Sequence, residues 1–162
     1  DELGDVYVAD WRNDRVQKFT HDGDFVFAVG ESGSENGEFN RPSEVAVDLD
    51  GDIYVCDRGN NRVQLFNAEG RFVDKFVGDA TLSMVARDYM MTNASPNRIR
   101  DMAVLEQQKA LRQPKGIAVD AEGHLFITDT GSYRLQVYQK EAIRLEPHQI
   151  APPMRSVTLH QE

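Results

Sequence analysis

The sequence of 162 residues has one cysteine, Cys56, and no apolar run close to the roughly 18 residues that a membrane-spanning helix needs. One cysteine excludes an internal disulfide and a cysteine-rich zinc site, and it favours a reducing compartment such as the cytoplasm. The first ten residues also lack the charged and apolar regions of a signal peptide. Because 40% hydrophobic and 28% charged residues are typical of soluble globular proteins, we expect a soluble protein without a membrane segment.

Basic residues are scarce as well. The net charge is −9, and no dense stripe of Lys and Arg interrupts the acidic background. A chain of this charge is repelled by a polyphosphate backbone unless its basic residues are gathered on one face. Nucleic acid is therefore not an expected partner.

What the sequence does contain is a repeat. The stretch "DRGNNRVQLFNAEG" from Asp57 corresponds to "DWRNDRVQKFTHDG" from Asp10 and, less closely, to "DTGSYRLQVYQKEA" from Asp129. Equivalent positions lie 47 residues apart between the first two copies and 72 residues apart between the second and third. An insertion explains the longer spacing.

Each copy consists of short runs rich in Val, Ile, Phe and Tyr, separated by Gly, Asp and Asn, which predicts a meander of antiparallel strands. In the second copy the predicted strands are about Glu44–Asp48, Ile53–Asp57, Arg62–Phe66 and Phe72–Val77. A four-stranded unit that recurs at about 40–50 residues is typical of a β-propeller, in which each unit is one blade.

The stretch "RPSEVAVDLDGDIYVCDRGNNRVQLFNAEGRFV" resembles the NHL repeat. The resemblance covers Gly4 to Gly78 and Gln113 to about Glu146, and it implies an all-β propeller that usually has six blades and binds partners more often than it catalyses reactions. The third copy departs from the pattern, since Ser132 and Tyr133 replace an Asn pair and its last turn has no Gly. Its last hairpin is therefore the least well defined.

The predicted organisation is blades over residues 1–147 and a tail over 148–162. Blade 1 covers about 1–30 and lacks its first strand, blade 2 about 40–78, a helical hairpin insertion about 79–112, and blade 3 about 113–147. Ser95 and Pro96 mark the predicted start of the second helix of the insertion. Three units cannot close a ring, so we expect a piece of a longer six-bladed protein. Self-association into a ring, with the tail as a closing strand, is the alternative.

An Asp and an Arg recur at the same spacing in every copy, and groups present in every blade most simply serve the blade itself. We predict that each pair forms a charged hydrogen bond that ties strand to turn. The pairs are Asp10 with Arg15, Asp57 with Arg62, and Asp129 with Arg134.

The meander also predicts how the loops are divided between the two ends of each blade. One end, here called the acidic end, carries Asp22, Asp48, Asp50, Glu69, Asp120 and Glu122. The opposite end, here called the rim, holds "DWRNDR", "DRGNNR" and "DTGSYR" with the segments "NRPS" and "QPKG". Rim positions differ between the copies, so the fold does not dictate them, and a ligand could use them. The candidate ligand-binding residues are Trp11, Arg12, Arg41, Arg58, Lys115 and Tyr133.

The sequence does not predict a metal or another cofactor. Asp48, Asp50 and Asp52 alternate as in a calcium loop, but the closing Glu is missing and hairpin turns recruit Asp for other reasons. The histidines do not recur at equivalent positions in the copies. They are His21, His124, His148 and His160.

We therefore expect a noncatalytic module that binds a protein partner or a small anionic ligand at the rim. One alternative is a propeller lyase or hydrolase with a metal at the ring axis, which would need converging His or carboxylate ligands. Another is the binding of single-stranded RNA by arginines and Trp11. The net acidity argues against this second alternative.

Overall fold

The computed structural model describes residues 1–80 and 109–140. In these residues ten strands form three antiparallel sheets, which we call blades 1, 2 and 3. Blade 1 consists of β1 (Val6–Asp10), β2 (Arg15–Phe19) and β3 (Phe25–Val29). Blade 2 consists of β4 (Pro42–Val47), β5 (Ile53–Asp57), β6 (Arg62–Phe66) and β7 (Phe72–Phe76). Blade 3 consists of β8 (Pro114–Val119), β9 (His124–Asp129) and β10 (Arg134–Gln139).

The strands of each blade follow one another in chain order, as in a simple meander. Equivalent hairpins have the same register: Asp10 pairs with Arg15, Asp57 with Arg62, and Asp129 with Arg134. In blades 2 and 3 a single 3-10 turn joins these two strands, and in all three blades the residue before the Arg has a positive φ. The tight turn places the acid and the base side by side.

The hydrophobic cores lie between consecutive blades. One core joins blades 1 and 2 around Val16, Ile53, Val55 and Phe66. The other joins blades 2 and 3 and includes Tyr54, Cys56, Val63, Ile117, Leu125 and Ile127. Strand β5 contributes to both cores, which is why "IYVCD" is apolar almost throughout and fully buried. A blade of this kind buries its faces only when it has a neighbour on each side.

The three antiparallel sheets confirm the all-β prediction and are consistent with propeller blades. The described part of blade 1 has three strands. In blade 2 the observed strands agree with the predicted ones to within two residues at each end. The predicted helices of the insertion, the last hairpin of the third unit and the tail fall on residues 81–108 and 141–162, outside the described residues. Within the described part, no helix has the length and apolar character required to cross a membrane.

Candidate functional site

The Asp and Arg pair of blade 2 forms a buried clamp, a term we use for the pair and the backbone that it binds. The Arg62 Nε donates to Asp57 Oδ2 at 2.7 Å, and both side chains are almost entirely inaccessible to solvent. The remaining guanidinium nitrogens donate to the carbonyl oxygens of Ser34, Glu35 and Glu38 at 2.7–2.8 Å. Arg62 therefore holds the loop that leads into β4, and its charge is balanced by Asp57.

The clamp recurs in blade 3 and is reduced in blade 1. Arg134 donates to Asp129 at 2.7 Å and to the Ala110 carbonyl at 2.7 Å, so it holds the segment that leads into β8. In blade 1 the structure describes no such segment, and the Arg15 side chain stays 41% exposed at 3.1 Å from Asp10. The structure thus brings all three predicted pairs together. In each pair the Asp also accepts a hydrogen bond from a nearby Asn or Gln side chain of its own blade.

Hydrogen bonds also connect each blade to the next at the rim. Asp14 of blade 1 accepts the Arg41 amide of blade 2 at 2.7 Å, and Asn61 of blade 2 accepts the Gln113 amide of blade 3 at 2.8 Å. Both acceptor residues have a left-handed backbone conformation, with φ of 50° for Asp14 and 55° for Asn61. Short Asp and Asn side chains tolerate this conformation and can reach a neighbouring amide.

Tyr133 occupies the equivalent position of blade 3. Its φ is 52°, a conformation that is uncommon for a bulky residue, and its side chain is 97% exposed. A phenol cannot replace the short carboxylate or amide of Asp14 and Asn61. Tyr133 therefore projects from the rim as the one aromatic member of a series that otherwise connects blades.

The other predicted rim residues lie around the junctions between blades. The Arg12 guanidinium lies 5.0 Å from the centre of the half-exposed Trp11 ring, so these two residues form a cation–π pair. The turn that carries Arg58 is tied to the segment before Arg41, because the Gly59 amide donates to the Asn40 carbonyl at 2.8 Å.

Lys115 belongs to the first strand of blade 3, next to the start of β4. Its carbonyl accepts the Ser43 hydroxyl at 2.9 Å. Within residues 1–80 and 109–140, the Arg12, Arg41, Arg58 and Lys115 side chains have no carboxylate partner. Four cations at the rim are therefore available to an anion.

Sequence reasoning missed residues of both signs at the rim. Exposed Arg112 lies beside the turn that leads to Tyr133, since its carbonyl accepts the Gly131 amide at 2.7 Å. The sequence feature that could have identified Arg112 is that an Arg stands where blade 2 has Asn40. The loop before β4 brings Glu31 and Glu35 to the same end, so the rim is mixed in charge near blades 1 and 2.

A lysine ammonium lies among the alternating aspartates of the acidic end. Lys140 of blade 3 approaches Asp48, Asp50 and Asp52 of blade 2 at 2.7–2.8 Å. Asp48 also accepts the amides of Asp50 and Asp52 and the Tyr54 hydroxyl, so it shapes the hairpin turn. The aspartates thus form a turn and a link to the next blade, and the cation that they contact is part of the protein.

This contact shifts the pKa of Lys140 and that of Asp50. Burial alone would lower the pKa of Lys140, but the hydrogen bonds to Asp48, Asp50 and Asp52 outweigh it and raise that pKa above the ordinary lysine value. The hydrogen bond from Lys140 lowers the pKa of Asp50 below 3.8. The raised lysine pKa adds stability that is present below pH 10.5 and lost at higher pH. The lowered aspartate pKa adds stability that is present above pH 3.8 and lost as the pH falls through the folded value.

We expect Lys140→Met to lower the free energy of unfolding at neutral pH by about 1–2 kcal/mol, since three carboxylates lose a partly exposed partner. The loss should shrink at pH 3, because the contribution of Asp50 falls as the pH approaches the lowered pKa of that group. Urea unfolding at pH 7 and at pH 3 measures this loss of unfolding free energy. Lys115→Met is the matched control, because Lys115 has no described ion pair, and it should stay within about 0.5 kcal/mol of wild type. If the two substitutions lower the free energy of unfolding equally at pH 7, the contact between Lys140 and the aspartates does not stabilise the protein.

The equivalent turn of blade 3 contains Asp120, Glu122 and His124, whose ligand atoms lie within 4.8 Å of one another. His124 Nδ1 already contacts Asp120 Oδ2 at 2.8 Å, and the Asp120 carboxylate accepts the amides of both other residues. Burial would raise the pKa of Asp120, but hydrogen bonds from His124 and from the turn lower it. The group thus has the hydrogen bonds of a structured turn.

Cys56 is buried in the core between blades 2 and 3. Burial first, and then the charge of Glu44, raise the pKa of its thiol to about 12. A thiol that stays protonated at neutral pH is a poor nucleophile. Cys56 therefore packs as a small apolar residue.

Comparison with known proteins identifies the repeat. A model of the NHL repeat matches residues 39–66 and 111–138, which contain the Asp and Arg pairs of blades 2 and 3. No protein of curated function matches the sequence significantly. Among solved structures, a structural genomics protein of unknown function from Bacteroides thetaiotaomicron matches with a TM-score of 0.56 and 18% identity, covering 83% of this chain and 32% of that protein.

Two lyase structures match at lower similarity. A streptogramin B lyase matches with a TM-score of 0.49 and 15% identity over 86% of this chain and 38% of its own. Virginiamycin B lyase from Staphylococcus aureus matches with a TM-score of 0.46 and 14% identity over 83% and 37%. The chain spans about a third of the length of these proteins, and at such identities a match concerns the fold alone.

Proposed function

Since the chain carries NHL repeats in blades of a β-propeller, we propose that it is a noncatalytic binding module whose rim receives an acidic segment of a partner protein. The observation that carries the proposal is the set of rim cations without a described carboxylate partner, beside the fully exposed Tyr133. The arginines of the clamps, in contrast, are occupied by Asp57 and Asp129. The arginines that hold the fold together are thus different residues from the rim arginines that can bind a ligand.

The chemistry of these groups suits a carboxylate-bearing peptide. A guanidinium can bind a carboxylate through two parallel hydrogen bonds, and an exposed aromatic ring adds contact area at small entropic cost. Arg58 lies on a turn of blade 2, Tyr133 directly follows the equivalent turn of blade 3, and Arg112 lies beside that second turn. One extended segment can therefore contact all three. Trp11 and Arg12 extend the surface to blade 1.

The two other functions have weaker support. Single-stranded RNA would use the same aromatic and cationic groups, but it would approach a chain of net charge −9 whose rim also carries Glu31 and Glu35. A metal-dependent lyase needs ligands beyond the turn of Asp120, Glu122 and His124, in which the Asp120 carboxylate already contacts the His124 ring. Both remain as outcomes of the binding experiment.

The single tryptophan of the chain, Trp11, provides the measurement. We expect a Glu-rich peptide that contains one Phe to change the Trp11 fluorescence with saturation in the micromolar range, and added salt to weaken the effect. Arg41→Gln with Arg58→Gln should raise Kd about tenfold, because each lost charged contact is worth about 1 kcal/mol or less at an exposed site. The control is Arg71→Gln, an exposed arginine at the acidic end, which should leave Kd unchanged.

Competing ligands separate the possibilities. A Lys-rich peptide of the same length should not bind, and inorganic phosphate should compete only at millimolar concentration. Tight binding of phosphate alone would replace the peptide by a small anion as the ligand. Binding of an oligonucleotide but not of the peptide, or a peptide affinity that Arg71→Gln weakens as much as the rim substitutions, would overturn the proposal.

A further inference from the structure

The loop between β3 and β4 contains the sole Asn–Gly sequence of the chain, Asn36–Gly37. The Glu38 amide donates to the Glu35 carbonyl at 3.2 Å, so these two residues form the centre of a tight turn. Gly37 has a φ of 87°, as the third residue of a type II turn requires. Asn36 is exposed, and no atom lies within 4 Å of the position that a Cβ of Gly37 would take. Water therefore reaches this turn.

An Asn–Gly sequence can lose ammonia spontaneously. The Gly amide nitrogen attacks Cγ of the Asn side chain and forms a five-membered succinimide ring. The carboxamide nitrogen leaves as ammonia, and the amide proton passes through water to this departing nitrogen. Water then opens the ring at either of its carbonyl carbons, which gives an aspartate or an isoaspartate whose backbone runs through the former side chain. Glycine favours the attack because it has no Cβ to obstruct the nitrogen.

The two reactive groups of this chain, Gly37 N and Asn36 Cγ, have different partners in the fold. Gly37 N donates to Oε1 of Gln64 at 2.9 Å, and Gln64 is fully buried in blade 2. Asn36 Oδ1 accepts the Lys75 ammonium at 3.1 Å. The first hydrogen bond opposes the attack, because it holds the amide proton and turns the nitrogen away from Asn36. The second does not, because a cation stabilises the negative charge that develops on the attacked carbonyl oxygen.

Gln64 and the turn are held by the clamp of blade 2. The Gln64 Nε2 donates to the Glu38 carbonyl at 2.7 Å and to Asp57 Oδ2 at 3.3 Å. Arg62 donates to the carbonyls of Glu35 and Glu38, on either side of the Asn–Gly sequence. The Gly37 amide is released only when several of these hydrogen bonds open together, which costs more free energy than the fraying of an unattached loop.

We propose that Asn36 is a site of spontaneous deamidation and that Gln64 protects it while the loop is closed. Deamidation adds a carboxylate to a turn that already carries Glu35 and Glu38. The isoaspartate product also lengthens the backbone by a methylene group between the two carbonyls that Arg62 holds. The longer backbone does not fit both contacts in the same geometry. Each chain modified in this way therefore has a loosened connection between blades 1 and 2.

Mass spectrometry of the peptide that contains Asn36 measures the reaction, since the product carries OH in place of NH2. The folded chain in mildly alkaline buffer is compared with the chain unfolded in guanidinium chloride at the same pH. We expect the unfolded chain to deamidate at Asn36 more than about tenfold faster, because its loop is permanently open. In the folded chain, Gln64→Met should raise the rate about five- to tenfold, the factor that corresponds to the loss of one hydrogen bond.

Gln136→Met is the matched control for Gln64→Met. Gln136 is the equivalent buried glutamine of blade 3, and it donates to Asp129 rather than to the loop before β4. This substitution should leave the rate at Asn36 unchanged, and urea unfolding checks that both variants remain folded. Lys75→Met tests the other contact and should not raise the rate, because Lys75 does not hold the attacking nitrogen.

Three results would overturn the proposal. The first is a wild-type chain that deamidates at Asn36 equally fast folded and unfolded, which needs no variant to be observed. The second is the same rate for Gln64→Met and Gln136→Met, which would make protection a matter of overall stability. The third is a Lys75→Met rate raised as much as that of Gln64→Met, which would place the protection on the Asn36 side chain.

Discussion

Replacing Arg62 by Ala is expected to lower the free energy of unfolding by about 3–5 kcal/mol. The substitution leaves Asp57 buried and charged without its partner, and it removes the donors to the carbonyl oxygens of Ser34, Glu35 and Glu38. An uncompensated charge in a buried site costs more than the salt bridge contributes by itself. Urea unfolding followed by far-ultraviolet circular dichroism measures the loss.

The chain provides its own control in blade 1. Arg15→Ala removes the same residue from the same repeat position, but the Arg15 side chain is 41% exposed and its pair with Asp10 is only partly buried. This substitution should cost less than about 1 kcal/mol. If the two substitutions destabilise the protein equally, the repeated pair acts within its hairpin alone, and the loop contacts of Arg62 contribute nothing.

Gly78→Ala is expected to cost about 3 kcal/mol or more. Gly78 has a φ of 100°, and a Cβ there would lie 2.5 Å from the Leu111 amide nitrogen and 2.7 Å from the Lys109 carbonyl oxygen. A left-handed Ala costs about 1–2 kcal/mol by itself. The clash is with backbone, so no side-chain movement relieves it, and the hydrogen bond from the Leu111 amide to the Val77 carbonyl at 2.8 Å would be displaced.

Gly23 separates these two contributions. Its φ of 91° is similar, but no atom lies within 4 Å of the position that a Cβ would take. Gly23→Ala should therefore show the conformational cost alone, about 1–2 kcal/mol, in the same urea titration. A Gly78→Ala variant as stable as Gly23→Ala would mean that the segment from Lys109 to Leu111 moves away easily and does not hold blade 2.

The blades were predictable because their determinants are local and repeated. The strand β5 is apolar and bounded by turn residues, so its limits could be read from "GDIYVCDRGN". A single apolar run does not by itself distinguish a strand from a buried helix segment. Because the run recurs after 47 residues with the same flanking turns, it is recognisable as a strand of a repeated blade. The same comparison predicted the pairing of Asp57 with Arg62, since a tight turn of fixed length joins them.

Contacts between blades could not be predicted in the same way. Nothing in the sequence near Lys140 indicates that its ammonium lies among aspartates about 90 residues earlier, because the insertion makes the spacing irregular. The carbonyl partners of Arg62 belong to a loop without a repeat pattern. The rim residue Arg112 was missed because it lies next to the insertion. The hydrogen bond from the Gly131 amide to the Arg112 carbonyl is what places this residue at the rim.

The segment between blades 2 and 3 begins and ends at almost the same point. The Ala80 amide donates to the Lys109 carbonyl at 3.3 Å, and the clamp of Arg134 holds the returning chain at Ala110. The corresponding connection between blades 1 and 2 is closed by its own clamp with far fewer residues. The residues on either side of 81–108 are thus held next to each other by hydrogen bonds. The segment can therefore be exchanged for a short loop or for a foreign domain while the two blades keep their mutual orientation.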